Sequence, residues 1–133
     1  MIGAREDLRR DGLVYFVREG HDGPIKIGWA GTEPRNRLRD LQIGNPRRLV
    51  LLGYFPGDVA FEKRLHARLA DWRLIGEWFA PEAPGLVELA GAAGQIAKAV
   101  DDGLDAIPGA FVHRVLAALG DSDPAKREGA KTA

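Results

Sequence analysis

Two short apolar runs near the start of the chain constrain its fold more than any other feature. Residues 13–17 are β-branched and aromatic, and residues 25–29 repeat that character after a connection rich in Gly, Asp and Pro. Two such runs joined by turn residues predict an antiparallel hairpin. A third apolar run, residues 49–55, ends before a Pro-Gly pair and predicts a buried third strand. We therefore expect a small three-stranded antiparallel sheet.

A first helix is predicted over residues 34–43. Thr32 offers a capping hydroxyl just before an early proline, which is typical of a helix start. Gly44 begins a Gly-Asn-Pro stop that the helix cannot cross. Leu38 and Leu41 lie one turn apart and should face the core.

A second helix is predicted over residues 58–72, with Asp58 as its N-cap. Glu62, His66 and Arg73 fall together on one side of its apolar stripe, where a functional side chain can be held by packing and still reach a cleft. The stripe itself consists of Phe61, Leu65, Leu69 and Trp72.

The last third of the chain predicts two helices. Apolar residues recur at helical spacing over residues 86–100, and a second such stretch covers residues 110–119. We expect an α+β protein in which the helices flank the sheet. Its expected parts are an N-terminal extension (1–12), a sheet-containing domain (13–80), C-terminal helices packed on it (81–120) and a disordered tail (121–133).

Composition excludes several classes of protein. The chain has no cysteine, which excludes disulfide scaffolds, thiolate zinc sites and cysteine nucleophiles. The lone serine, Ser122, lies in a Gly/Asp/Pro context, which argues against a serine hydrolase. No apolar run reaches the roughly 18 residues of a membrane span, and the charged N-terminus is unlike a signal peptide. We expect a cytoplasmic protein with no membrane partner.

Charge is balanced overall but unevenly distributed. The chain has 19 basic and 19 acidic residues. Residues 1–80 contain 14 basic and 11 acidic residues, so we expect an anionic partner to bind to this part of the chain. Residues 35–48 contain five arginines against one acid, and arginine is well suited to phosphate contacts. The predicted nucleic-acid contacts in this basic segment are Arg35, Arg39, Arg47 and Arg48.

Five single residues on the predicted sheet and helices carry the candidate chemistry, in the chain order Tyr15, Lys26, Arg37, Glu62 and His66. This order resembles the GIY-YIG nuclease superfamily. Residues 13–15 (Leu-Val-Tyr) stand where that family has Gly-Ile-Tyr, and residues 26–28 (Lys-Ile-Gly) stand where it has Tyr-Ile-Gly. The departures are the leucine in place of the first glycine, the lysine in place of the second tyrosine, and the absence of any asparagine after residue 80.

Three further pieces are similar to the Lys-Ile-Gly branch, which is common in phage and bacterial proteins. They are Asn-Pro at 45–46, Glu-x-x-Leu-His at 62–66 and Gly-Glu-Trp-Phe at 76–79. The resemblance covers residues 13–80. Within the last piece, Glu77 is interpreted as an anchor of the Gly76 turn, and the two aromatic residues as core.

The resemblance implies a metal-dependent endonuclease that hydrolyses DNA. Glu62 would hold Mg²⁺ or Mn²⁺ through oxygen ligation. Arg37 would stabilise the phosphate as it gains charge, and Lys26 would add a point positive charge. Tyr15 would orient or deprotonate the attacking water, and His66 would act as a second general base or a phosphate contact.

Two alternatives stay open at this point. The chain can be a catalytically weak or inactive module that binds nucleic acid through the basic segment. It can also be an interaction domain whose C-terminal helices pair with a partner chain or with a second copy of itself. Each candidate residue has a purely structural interpretation as well, such as core packing for Tyr15 and His66, surface charge for Arg37 and helix-dipole stabilisation for Glu62.

Overall fold

A computed structural model describes residues 12–31 and 33–101. The strands are β1 (Leu13–Glu19), β2 (Ile25–Ala30), β3 (Leu49–Pro56), β4 (Arg73–Ile75) and β5 (Trp78–Phe79). The helices are α1 (Pro34–Gln42), α2 (Val59–Arg68) and α3 (Leu86–Asp101), with a short 3₁₀ turn at Ala70–Trp72.

The strands form one antiparallel sheet in the order β3-β1-β2-β5-β4. The α+β class and the three predicted strands are confirmed. The sheet has five strands, however, because the segment after α2 folds back as a tight hairpin. Its second strand, β5, pairs with β2 through Phe79 opposite Ile25 and Trp78 opposite Lys26. Strands of three and two residues are too short to show a periodic pattern in the sequence.

Alternate residues of β1 divide between two apolar clusters, one on each face of the sheet. Val14 and Phe16 pack in the larger cluster, which α2 and α3 cover. Leu13, Tyr15 and Val17 pack in the smaller cluster. As predicted, Leu38 and Leu41 of α1 pack against this second cluster. The central strands are buried on both faces. Side chains on opposite faces of β1 and β2 therefore contact different sets of residues.

Helix α1 begins at Pro34 as predicted and ends one residue before the predicted end, but its capping residue is not the predicted one. Glu33 is the N-cap, and its side chain accepts a hydrogen bond from the Arg35 backbone N–H. Thr32, the predicted cap, lies outside the described residues. The helix ends at Gln42, and Gly44 takes the left-handed conformation, with φ of 79°.

Helix α2 begins where expected and ends early. The Asp58 side chain accepts from the Phe61 backbone N–H, which confirms the predicted cap. The helix stops at Arg68 rather than at residue 72, since the chain tightens into the 3₁₀ turn before entering β4. Placing Arg73 on the α2 surface beside Glu62 was therefore wrong. Arg73 begins β4, and its guanidinium lies over the Phe79 ring.

Helix α3 confirms the predicted helix over residues 86–100 and packs closely on β3. A Cβ at Gly53 would overlap the backbone of Gly94 on α3, and a Cβ at Gly94 would meet the Leu52 carbonyl oxygen at 2.7 Å. The helix and the strand thus touch through two glycines.

Some predictions fall on the rest of the chain. The N-terminal extension up to residue 11, the helix at 110–119 and the tail at 121–133 all lie outside the described residues. Among the helices that the structure does describe, none combines the length and apolar character needed to cross a bilayer.

Candidate metal centre

Helix α2 and the turn before β5 bring three ligand-type side chains together. Glu62 and His66 lie one helical turn apart on α2, so both project from the same side of the helix. Glu77 immediately precedes β5, and its backbone carbonyl accepts from the Ile27 N–H, which fixes it against β2. One ligand atom from each of these three side chains lies within 4.8 Å of the other two. Two carboxylates and an imidazole at this spacing can bind a metal ion.

The His66 ring is held by two contacts. Its Nε2 lies 2.9 Å from the Ile27 carbonyl oxygen, and the ring packs edge-on against Phe79 at 5.1 Å between centroids. A carbonyl oxygen can only accept, so Nε2 carries the proton and donates it. In the neutral imidazole Nδ1 is then unprotonated, while Nε2 is also the ring nitrogen that lies 3.8 Å from Glu62 Oε1.

Lys26 borders the centre. Its side chain is only 10% exposed, and its Nζ lies 2.7 Å from Glu77 Oε1 and 5.9 Å from the centre of the Trp78 ring. A buried ammonium needs a charged partner, and Glu77 is that partner. The predicted site residues Lys26, Glu62 and His66 are therefore brought together.

Burial raises the pKa of Glu62 above its ordinary value, and the negative charge of Glu77 raises it further. His66 when it is protonated, and the positive charges of Lys63 and Lys26, act in the opposite direction without cancelling the rise. A bound cation would favour the ionised form of Glu62 and would offset the repulsion between the two carboxylates.

The centre is closed at its base and open on one side. The side chains of Glu62 and His66 are 9% and 11% exposed, whereas that of Glu77 is 40% exposed. A ligand would therefore enter at Glu77. Glu77 is predicted from the sequence only as a turn anchor, and its place among the candidate ligands is not predicted. The available signal was its place in the Gly-Glu-Trp-Phe piece, but only the β5–β2 pairing shows why that piece reaches α2.

Tyr15 and Gly28 form a cross-strand pair on the face of the smaller cluster. Tyr15 is 1% exposed, and a Cβ at position 28 would overlap its ring and hydroxyl. Lys26 is the diagonal neighbour of Tyr15 on this face. Arg37 is exposed on α1, the helix that packs on this side of the sheet. Within the described structure, neither Tyr15 nor Arg37 forms a hydrogen bond or ion pair with the metal-centre residues, and their roles stay predictions.

The basic segment divides into paired and unpaired arginines. Arg35 binds Glu33 at 3.0 Å and Asp101 at 2.8 Å, and Arg47 binds Glu19 at 3.0 Å. Tyr54 donates to the same Asp101 carboxylate. Arg39 and Arg48 are exposed, and among residues 12–31 and 33–101 no carboxylate pairs with either.

Fold and site together define a small α+β domain with a three-residue candidate metal centre at the β2–β5 edge. The chain belongs to the T5orf172 domain family, which it matches over residues 12–101, more than half of its length. This domain occurs in phage and bacterial proteins and is associated with nuclease-like functions, so membership suggests a nuclease-like or DNA-binding role. No curated protein and no solved structure gave a significant match to the chain.

Proposed function

We propose that this protein is a metal-dependent endonuclease that hydrolyses DNA phosphodiester bonds through a GIY-YIG-like site. The observation that carries the proposal is the convergence of Glu62, His66 and Glu77, whose ligand atoms lie within 4.8 Å of one another. The family association with nuclease-like functions supports the same chemistry.

The donor set fits a divalent cation. Two carboxylates suit Mg²⁺ or Mn²⁺, and the His66 nitrogen favours Mn²⁺ of the two because Mg²⁺ prefers oxygen ligands. Once bound, such an ion would polarise a phosphate oxygen and lower the pKa of coordinated water. Glu62 and His66, held by α2 and by the Ile27 carbonyl, would set its position before substrate arrives.

The remaining residues would act on the phosphate and the nucleophile. Lys26 would offer its ammonium both to Glu77 and to a phosphate oxygen at the open side of the centre. Tyr15 and Arg37, on the same face of the sheet as Lys26, would orient or deprotonate the attacking water and stabilise the phosphate charge respectively. The cytoplasm, where such a domain would meet DNA, is the proposed location.

A second candidate function is nucleic-acid binding without catalysis. The observation that favours it is the exposure of Arg39 and Arg48, which lack carboxylate partners in the described part of the chain. Such a module would bind DNA in a strongly salt-dependent way and would need neither Glu62 nor a metal ion.

Nicking of supercoiled plasmid tests the proposal. Wild-type protein is incubated with Mn²⁺, with Mg²⁺ and with EDTA, beside Glu62→Ala, Glu77→Ala and the matched control Glu88→Ala, whose residue is exposed on α3. The proposal predicts metal-dependent nicking that both site variants lose and the control retains. Equal nicking by all four proteins, or none by the wild type, overturns the nuclease. Binding of DNA without nicking then supports the second candidate.

A further inference from the structure

A basic site lies apart from the metal centre. A cleft of about 490 Å³ opens where the β1–β2 turn meets the beginning of β3. Its lining residues are Arg18, Gly20, His21, Arg48, Val50 and Leu52. β3 is an edge strand, and β1 and β2 separate it from β5, so this cleft is distinct from the metal centre.

Two backbone and side-chain contacts fix the shape of the cleft. The Gly20 N–H donates to the Arg48 carbonyl at 2.7 Å, which ties the hairpin turn to the segment before β3. Arg18 Nε donates to the Gly23 carbonyl at 3.0 Å, which orients the guanidinium and leaves its two terminal nitrogens available. The two arginines therefore approach the cleft from segments that are held together before any ligand binds.

Both arginines keep their charge for a ligand. In the described ranges, no carboxylate pairs with Arg18 or Arg48. Glu19, the acidic neighbour of Arg18, is already engaged by Arg47 at 3.0 Å. Asp22 is exposed in the same turn, and its carboxylate is the nearby negative charge that offsets the two arginines in part. Two guanidiniums and an imidazole at one opening form a cationic site with an excess of positive charge.

We propose that this cleft binds a backbone phosphate of nucleic acid, with Arg18 and Arg48 as the phosphate contacts and His21 beside them. The guanidinium fork matches phosphate oxygens, and the apolar side chains of Val50 and Leu52 suit the adjoining sugar rather than a free ion. This inference rests on the proposed DNA-directed function. It names a place where the protein holds the substrate at a distance from the bond that is cleaved. It also assigns Arg35 and Arg47 to internal ion pairs instead of substrate contacts.

Binding of a short fluorescein-labelled DNA duplex, measured by anisotropy in EDTA at several salt concentrations, tests this assignment. Arg48→Gln and Arg18→Gln are compared with Lys98→Gln, which removes one positive charge from the exposed surface of α3. Each cleft variant should bind about tenfold more weakly, with a salt slope smaller by about one. The Lys98→Gln control should stay near wild type.

Circular dichroism establishes that each variant is folded. If Arg18→Gln disturbs the turn through the lost Gly23 contact, the result for Arg48→Gln decides alone, because the Arg48 side chain forms no hydrogen bond or ion pair in the described structure. Wild-type affinity in Arg48→Gln, an equal loss in Lys98→Gln, or no DNA binding by the wild type overturns the cleft. Nicking lost in Glu62→Ala with DNA binding intact separates the two proposals, since plasmid nicking reports on the metal centre and anisotropy in EDTA reports on the cleft.

Discussion

The Lys26 ammonium lies 2.7 Å from Glu77 Oε1, joining the middle of β2 to the turn that precedes β5. The pair places a positive charge at the open side of the metal centre, where burial and then the negative charge of Glu77 raise the pKa of Glu62. Lys26 therefore partly neutralises a centre that a divalent cation would neutralise further.

Replacing Lys26 with Met keeps the aliphatic stem and removes that charge. We expect Lys26→Met to destabilise the metal-free protein by about 1–3 kcal/mol, because Glu77 loses its partner. Mn²⁺ should then raise the Tm of the variant more than it raises that of the wild type. Thermal melts in EDTA and in Mn²⁺ measure both effects, with Lys98→Met on the exposed side of α3 as the control. An equal Mn²⁺-induced shift in variant and wild type would contradict the account.

The raised pKa of Glu62 also predicts a pH dependence of stability. The folded state disfavours the ionised carboxylate, so metal-free stability falls as pH rises above the ordinary pKa of 4.5 towards the raised value. Glu62→Gln should therefore match the wild type in acid and exceed it at neutral pH, by on the order of 1 kcal/mol.

Urea unfolding at several pH values in EDTA measures this difference. Glu88→Gln, an exposed glutamate on α3, should show no pH-dependent gain. A Glu62→Gln variant that is less stable than the wild type at neutral pH would show that the ionised carboxylate stabilises the fold.

The packing of Tyr15 on Gly28 predicts a positioning effect on activity. A Cβ at position 28 would displace the Tyr15 ring and hydroxyl, so Gly28→Ala should lower nicking by about tenfold or more while DNA affinity is kept. Tyr15→Phe should lower nicking similarly without moving the ring. Gly31→Ala, where the nearest atom is 3.4 Å away on Trp29, is the matched control. Full nicking by Tyr15→Phe would remove Tyr15 from the mechanism.

The contact between α3 and β3 predicts opposite effects of two glycine substitutions. Gly53→Ala would drive a Cβ into the Gly94 backbone, and we expect a loss of about 3 kcal/mol or more. Gly91 lies on the exposed side of the same helix with nothing within 4 Å of a Cβ, so Gly91→Ala should stabilise by about 0.5–1 kcal/mol. Denaturant midpoints measure both changes. A tolerated Gly53→Ala would mean that α3 can move away from β3.

Strong local patterns made much of the fold predictable. The sequence shows the apolar runs of β1, β2 and β3 and the apolar stripe of α3 directly as patterns. It also shows Asp58 as a helix cap. β4 and β5 have neither, because pairing of β5 to β2 and of β4 to β5, rather than local preference, makes them strands. Because the chain turns into β4 at this point, α2 ends early and Arg73 lies in β4 instead of on the helix.

The candidate site was predictable only in part for the same reason. Glu62 and His66 share a helix, so their proximity follows from helical spacing. Glu77 joins them through the β5–β2 pairing, which is a contact between segments far apart in the chain. The ion-pair partners of the arginines could not be predicted from the sequence either, since Arg35 pairs with Asp101, which is far away in the chain.

Anomalous diffraction from crystals grown with Mn²⁺ tests the central claim most directly. The account predicts one strong peak at bonding distance from Glu62 and Glu77 carboxylate oxygens and from a ring nitrogen of His66. The peak should vanish in Glu77→Gln crystals. A well-ordered wild-type structure with no peak between these three side chains, or with its peak elsewhere, would contradict the metal centre.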